Sequence, residues 1–269
     1  MHPGLQEALL VCTRIALMSV SQRRCIRTIP SIAVARPIST PSDKALAVVT
    51  RFDDEYWLAR DEDGEFPKEF HRAMADNGWL GITMPEEQGG AGLGVAEAAV
   101  MMHEVSSHGG GMAAASSVHV NLFGPHPIVI QGTPAQKAEW IPALIAGTDQ
   151  CCSGFTEPDA GLDTARIKTF AERAAGGYIV HGQKLWTSTA QVANKIMLLT
   201  RTTRYEDARR PTDGITIFYT DLDRSKIEVR RIPKMGRKAV DSNALYRRAF
   251  CSRNASDRRG RQRLQLHSR

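Results

Sequence analysis

The stretch Gly154-Phe155-Thr156-Glu157-Pro158-Asp159-Ala160-Gly161 leaves an extended apolar segment and enters a loop punctuated by proline and glycine. Its backbone N–H groups and the Thr156 hydroxyl would be available to donate to a polar ring edge. Downstream, Lys184-Leu185-Trp186-Thr187-Ser188 sets a large flat indole beside two more hydroxyls, at the end of a predicted strand. Together the two segments suit a planar, hydrogen-bonding cofactor that is stacked on one face and left open on the other.

Outward from these segments the chain divides in two. Residues 151–155, 165–174, 178–183, 196–202, 215–220 and 227–232 are short and rich in β-branched or aromatic side chains, with a hairpin turn expected at Gly176-Gly177. Residues 43–147 have helical period instead. Ala45, Val48, Val49, Phe52, Tyr56 and Trp57 recur at three- and four-residue spacing and form one apolar stripe. Pro67 opens the next helix, with Phe70, Ala73 and Met74 inward and Asn77-Gly78 closing it. Residues 85–94 carry too much glycine for a regular element, and residues 95–107 return to helical spacing. Thr133-Pro134-Ala135-Gln136 predicts a capping box at the head of a helix bearing Trp140, Ile141, Leu144 and Ile145, which stops at Gly147. The fold class is therefore α+β: an all-helical N-terminal domain over 43–148, an antiparallel β-barrel or sandwich middle domain over 151–246, and a disordered basic tail over 247–269.

The charge pattern argues against a nucleic-acid partner. The 269 residues carry a formal net charge of +6, yet residues 1–42 hold five arginines against Glu7, and residues 246–269 hold eight against Asp257. The body between them has 22 basic and 27 acidic residues, a net charge of −5. Five cysteines lie at 12, 25, 151, 152 and 251 without a CxxC spacing, which fits a reducing compartment without disulfides or a zinc site. The Arg- and Ser-rich, acid-poor residues 1–42 resemble a mitochondrial presequence and point to the mitochondrial matrix. A secretory signal is disfavoured by Arg14 inside the apolar run; a mis-assigned start codon is a third reading. That run is too short to span a bilayer.

The quoted motifs resemble those of the acyl-CoA dehydrogenase family, whose signatures read roughly Thr-Glu-Pro-x-Ala-Gly-Ser-Asp and Trp-Ile-Thr. Trp79 to Gly90, Gln131 to Pro142, and Pro233-Lys234-Met235-Gly236-Arg237 with Asp241-Ser242 resemble three further family segments in the right order. The resemblance covers about residues 43 to 246. It implies an FAD enzyme that removes the α-proton and β-hydride of an acyl-CoA thioester, with an electron-transfer flavoprotein as acceptor and a homo-oligomeric assembly. Carried over, the cofactor-binding residues are Phe155, Thr156, Gly161, Trp186, Thr187 and Ser188. Phe155 and Thr156 bond the pyrimidine edge, Trp186 covers one ring face and Ser188 donates toward N5. Two positions depart from the pattern. Leu162 replaces the signature serine at a substrate-contacting position, and Thr187-Ser188 replaces Ile-Thr.

In the family the catalytic base is a carboxylate in a third, helical domain, which the sequence reading expects to be missing here. Glu157, Asp163, Glu86 and Glu87 are not assigned as substitutes. Synonymous codons for Arg259 to Ser268, read one base forward, spell Glu-Glu-Gly-Lys-Gly-Phe-Asn-Tyr-Ile, which resembles the family's next segment. The tail is thus read as out of frame, in preference to a basic arm for RNA or anionic lipid. Alternatives to a dehydrogenase are a non-catalytic acyl-CoA- or flavin-binding remnant that pairs with a full-length paralogue, and an acyl-CoA oxidase.

Overall fold

The computed structural model describes residues 39–232 and the backbone of the strand Ser242–Ser252. The presequence-like leader up to residue 38, the expected motif at Pro233 to Arg237 with Asp241, and the tail from residue 253 lie outside the described residues.

Among the described residues, seven α-helices come first: α1 (Ser39–Val49), α2 (Asp54–Asp63), α3 (Lys68–Asp76), α4 (Val95–Ser107), α5 (Gly111–Phe123), α6 (His126–Gln131) and α7 (Pro134–Ile145). The stripe from Ala45 to Trp57 is not one helix. Asp53 accepts the Tyr56 N–H at 2.9 Å and starts α2 afresh after a turn. The two helices still share one core, where the Phe70 ring packs 5.2 Å from Phe52 and 5.0 Å from Trp57. Burying each such aromatic is worth roughly 1.5–3 kcal/mol. α5 lies inside the expected helical stretch but carries no one-sided apolar stripe, because it is buried nearly all round, from Ala114 to Leu122. Its entry at Gly110 needs a glycine, since a Cβ there would lie 2.5 Å from the Trp57 ring. The capping box of α7 forms as expected, with Thr133 N–H on Gln136 Oε1 at 2.9 Å and Gln136 N–H on Thr133 Oγ1 at 3.2 Å.

Then comes one seven-stranded sheet: β1 (Cys151–Gly154), β2 (Phe170–Ala174), β3 (Gly177–Lys184), β4 (Lys195–Arg201), β5 (Ile215–Asp221), β6 (Ile227–Arg231) and β7 (Ser242–Ser252). The order is β1-β4-β2-β3-β7-β6, with β5 also on β4. Helices followed by a sheet is the expected architecture, but the sheet is mixed: β1 and β2 both pair parallel to β4, and the remaining pairs are antiparallel. β4 accepts parallel partners because it is buried on both faces. Ile196 and Leu198 face one apolar cluster, whereas Met197 and Leu199 face another that includes Trp140 and Ile141 of α7. The hairpin turn is Ala175-Gly176, one residue earlier than expected, because Ala174 pairs with Gly177. β7 also continues past Tyr246, where the sequence reading ended the sheet, to Ser252. Its residues 249–252 supply the ladder partner that the Gly177–Val180 half of β3 requires.

Helices and sheet meet at residues 148–151. Asn121 of α5 accepts the Cys151 N–H at 3.0 Å and donates to the Asp149 carbonyl at 2.9 Å. Tyr219 on β5 donates to Asp149 Oδ2 at 3.0 Å, and its ring packs at a tilt 5.0 Å from that of Trp140. Among the described residues, no helix is long and apolar enough to cross a membrane.

Candidate functional site

β1 delivers the first motif. Gly154 is glycine for a local reason: a Cβ would lie 3.2 Å from the stem of Lys184 and from the ends of Ile196 and Leu198. Phe155 and Thr156 follow, half-buried. Glu157 then turns inward, and a tight turn over Pro158-Asp159 brings Ala160 back to it, with Glu157 N–H on Ala160 O at 2.9 Å. Gly161 and Leu162 project from this loop. Leu162 is 106% exposed, a leucine held entirely in solvent. A Cβ on Gly161 would meet nothing within 4 Å, so no steric constraint within the described residues requires that glycine.

The second motif is bonded to the first. At the end of β3, Lys184 is fully buried and its ammonium donates to Glu157 Oε1 at 2.7 Å and to the Phe155 carbonyl at 3.2 Å. Leu185 N–H donates to Thr156 O at 2.9 Å. Glu157 also accepts the N–H of Lys168 at 2.5 Å and of Thr169 at 3.0 Å. Burial pulls the Lys184 ammonium down to about 8, against the attraction of Glu157. Burial works to raise the Glu157 carboxyl, but the Lys184 charge and the N–H donors outweigh it and hold the carboxyl below its ordinary range. Both groups are therefore charged at neutral pH.

Trp186 comes next in an unusual state. Its φ is +56°, and it and Thr189, at +64°, are the only non-glycine residues in the left-handed region among those described. For a bulky side chain that conformation costs on the order of 1–3 kcal/mol and persists where neighbours over-determine it. The indole is 53% exposed. Thr187, read with it as a cofactor-binding residue, is fully buried, and its hydroxyl has no hydrogen-bond partner among the described residues. Ser188 is half-buried, and its carbonyl accepts from the Thr189 hydroxyl at 2.6 Å.

Three carboxylates of the loop are already engaged. Glu157 pairs with Lys184, Asp159 with Lys168 at 2.7 Å, and Asp163 with Arg166 at 3.2 Å. Beyond them the loop is held by Arg201, a 2%-exposed guanidinium at the end of β4. It donates to the Ile167 carbonyl at 3.1 Å, to Asp213 O at 3.0 Å, and to the carbonyls of Ala165 and Pro211. Neither Lys184 nor Arg201 was singled out from sequence. Each is the last residue of its strand, Lys184 after the mixed segment 177–183 and Arg201 after the apolar run 196–199 and Thr200, and only the second leaves a signal, a cation closing a mostly apolar strand.

The result is a half-exposed indole, locked in place and bonded through its flank to a hydroxyl-bearing turn, on a mixed sheet behind a helical block. Residues 43–148 match the acyl-CoA dehydrogenase N-terminal domain, and residues 152–249 match the acyl-CoA dehydrogenase middle domain. The chain belongs to the acyl-CoA dehydrogenase family. The 2-methylacyl-CoA dehydrogenase, mitochondrial, of Solanum tuberosum is 32% identical over 188 residues, covering 69% of this chain and 44% of the relative. The isovaleryl-CoA dehydrogenase, mitochondrial, of Arabidopsis thaliana is likewise 32% identical, over 69% of this chain and 45% of its own length. This acyl-CoA dehydrogenase-family chain thus spans less than half the length of these curated relatives. Among solved structures, a glutaryl-CoA dehydrogenase from Mycobacterium smegmatis in complex with FADH2 superposes with a TM-score of 0.72 at 24% identity, over 86% of this chain and 55% of that one. At that identity the likeness concerns the fold.

Proposed function

We propose that this chain supplies one wall of an FAD site used for α,β-dehydrogenation of an acyl-CoA thioester. The observation that carries this reading is Trp186: a flat, half-exposed ring whose left-handed backbone is fixed between the two motifs. Bound there, FAD would supply the acceptor for a hydride from the substrate's β-carbon. Trp186 covers one ring face and excludes water from it. The backbone of Phe155 and the backbone and hydroxyl of Thr156 donate to the pyrimidine edge, and the Ser188 hydroxyl donates toward N5. Donors fixed there favour negative charge on the ring without reorganising. Gly161 lets the ligand approach the loop backbone, and Leu162 packs on the acyl or pantetheine chain. The burial of Glu157 against Lys184 argues that it is not the base taking the α-proton, which comes from outside this loop.

The wider setting follows from the same reading: an electron-transfer flavoprotein as acceptor, a homo-oligomeric assembly, and the mitochondrial matrix, the last supported by the arginine-rich leader and by relatives named as mitochondrial. The test is a titration of the purified 269-residue chain with FAD, followed by flavin fluorescence. Weak but saturable binding that loosens in Trp186→Ala is the expected outcome. No uptake at any concentration, with or without an acyl-CoA, would sink the reading and favour a non-catalytic module.

A further inference from the structure

We propose that the Lys184–Glu157 ion pair is a positioning device that sets the Trp186 indole for its ligand before the ligand arrives. That the ligand is a flavin rests on the function proposed above; that the pair sets the indole does not.

The half-exposed Trp186 ring has little burial to hold it, and its left-handed backbone is one that a bulky residue leaves unless its flanks forbid it. On the C-terminal side, Thr187 is buried, and the Thr189 hydroxyl donates to the Ser188 carbonyl at 2.6 Å with the Cys151 carbonyl 3.4 Å away. On the N-terminal side, Leu185 N–H bonds Thr156 O, and the Lys184 side chain reaches both Phe155 O and Glu157 Oε1. Lys184 therefore makes the turn carrying Phe155 and Thr156 and the strand end carrying Trp186 move as one body. Through Glu157, the returning backbone at Lys168 and Thr169 joins the same body. A buried ion pair is a weak way to gain stability, since apolar residues of similar volume serve as well. Its use here is directional: an ammonium can bond a carbonyl and a carboxylate at fixed angles, which a methyl group cannot.

The experiment uses the full chain labelled with 5-fluorotryptophan. Its four tryptophans give four 19F resonances, and Trp186→Phe identifies one of them. Lys184→Met is compared with Lys184→Met/Glu157→Gln, in which no charge is left buried and unpaired. The melting temperature should fall in the single variant and recover in the double. The Trp186 resonance should shift and broaden in both variants while those of Trp57, Trp79 and Trp140 stay in place. FAD affinity should drop about tenfold in both, the scale on which residues that orient a ligand-holding group act. A Trp186 resonance that stays unmoved in the double variant, or returns there together with the melting temperature, overturns the proposal. If the parent chain takes up no FAD while the resonance still responds, the flavin reading fails and the positioning role stands.

Discussion

Asn121 and Cys151 join the two halves of the molecule: the asparagine's side-chain carbonyl takes the cysteine's backbone N–H at 3.0 Å, across thirty positions of sequence. The asparagine amide in turn donates to Asp149 O at 2.9 Å, so one side chain satisfies two backbone groups at the entry to β1. Asn121→Ala orphans both where water has poor access. A loss of about 2–6 kcal/mol is expected, taking each of the two unsatisfied groups at its usual penalty. Urea unfolding followed by both far-UV circular dichroism and tryptophan fluorescence measures it. If the junction couples the halves, the two probes should also separate in the variant, whereas they coincide in the parent.

His71 makes stability depend on mild acid. It is buried, with Gln150 Nε2 3.5 Å from its Nδ1 and the Phe66 ring 5.5 Å away. Burial, with a smaller push from Arg72, lowers its pKa from 6.5 to about 4. Between those values the unfolded chain holds a proton that the folded chain refuses. Its contribution is thus complete above pH 6.5 and lost as pH falls toward 4, by about 3 kcal/mol in all. His126, also lowered by burial, acts in the same direction. Comparing His71→Gln with the parent isolates the His71 share: the loss of stability between pH 7 and pH 5 should be shallower in the variant. Parallel curves would assign the effect elsewhere.

The order of helices and strands, the α7 cap and the two motifs were legible because each is a local pattern: a period, a box, a loop composition. What stayed hidden is non-local. Arg201 looks like the polar end of a strand, yet its guanidinium serves four carbonyls from two separate loops. The apolar run 196–199 marks β4 as buried on both faces but does not say that β1 is its parallel neighbour, and the inward turn of Thr187 depends on how the chain leaves β3. Arg201 can be tested directly. Lys lacks the planar fork, so Arg201→Lys should free residues 163–167 and 211–213 for rapid proteolytic nicking while the helical block stays resistant. Unchanged digestion would refute the stapling role.

Thr187 carries a hydroxyl that the interior does not use. Replacing it with Val substitutes a methyl for an unsatisfied polar atom of nearly the same shape. Stability should stay level or rise by up to about 1 kcal/mol. FAD affinity should be unchanged, because the side chain faces away from solvent. A tenfold weakening of FAD with stability intact would instead show that the hydroxyl meets the ligand and that the strand end rearranges on binding.

Trp186 should show opposite demands of stability and binding at one position. In the left-handed region glycine is unstrained, whereas any residue with a Cβ is penalised. Trp186→Gly should therefore be more stable than Trp186→Ala by about 1 kcal/mol, a difference readable from urea midpoints at equal slope. Both variants remove the ring face, and the loss of one stacking partner is worth about 1–3 kcal/mol where aromatic side chains stack on nucleobases. FAD affinity should accordingly fall roughly tenfold to a hundredfold in both, with Trp186→Phe in between. A glycine variant that is less stable than the alanine variant would contradict the strained backbone. An alanine variant that binds FAD as tightly as the parent would remove the stacking role of Trp186, and with it the main support for the proposed function.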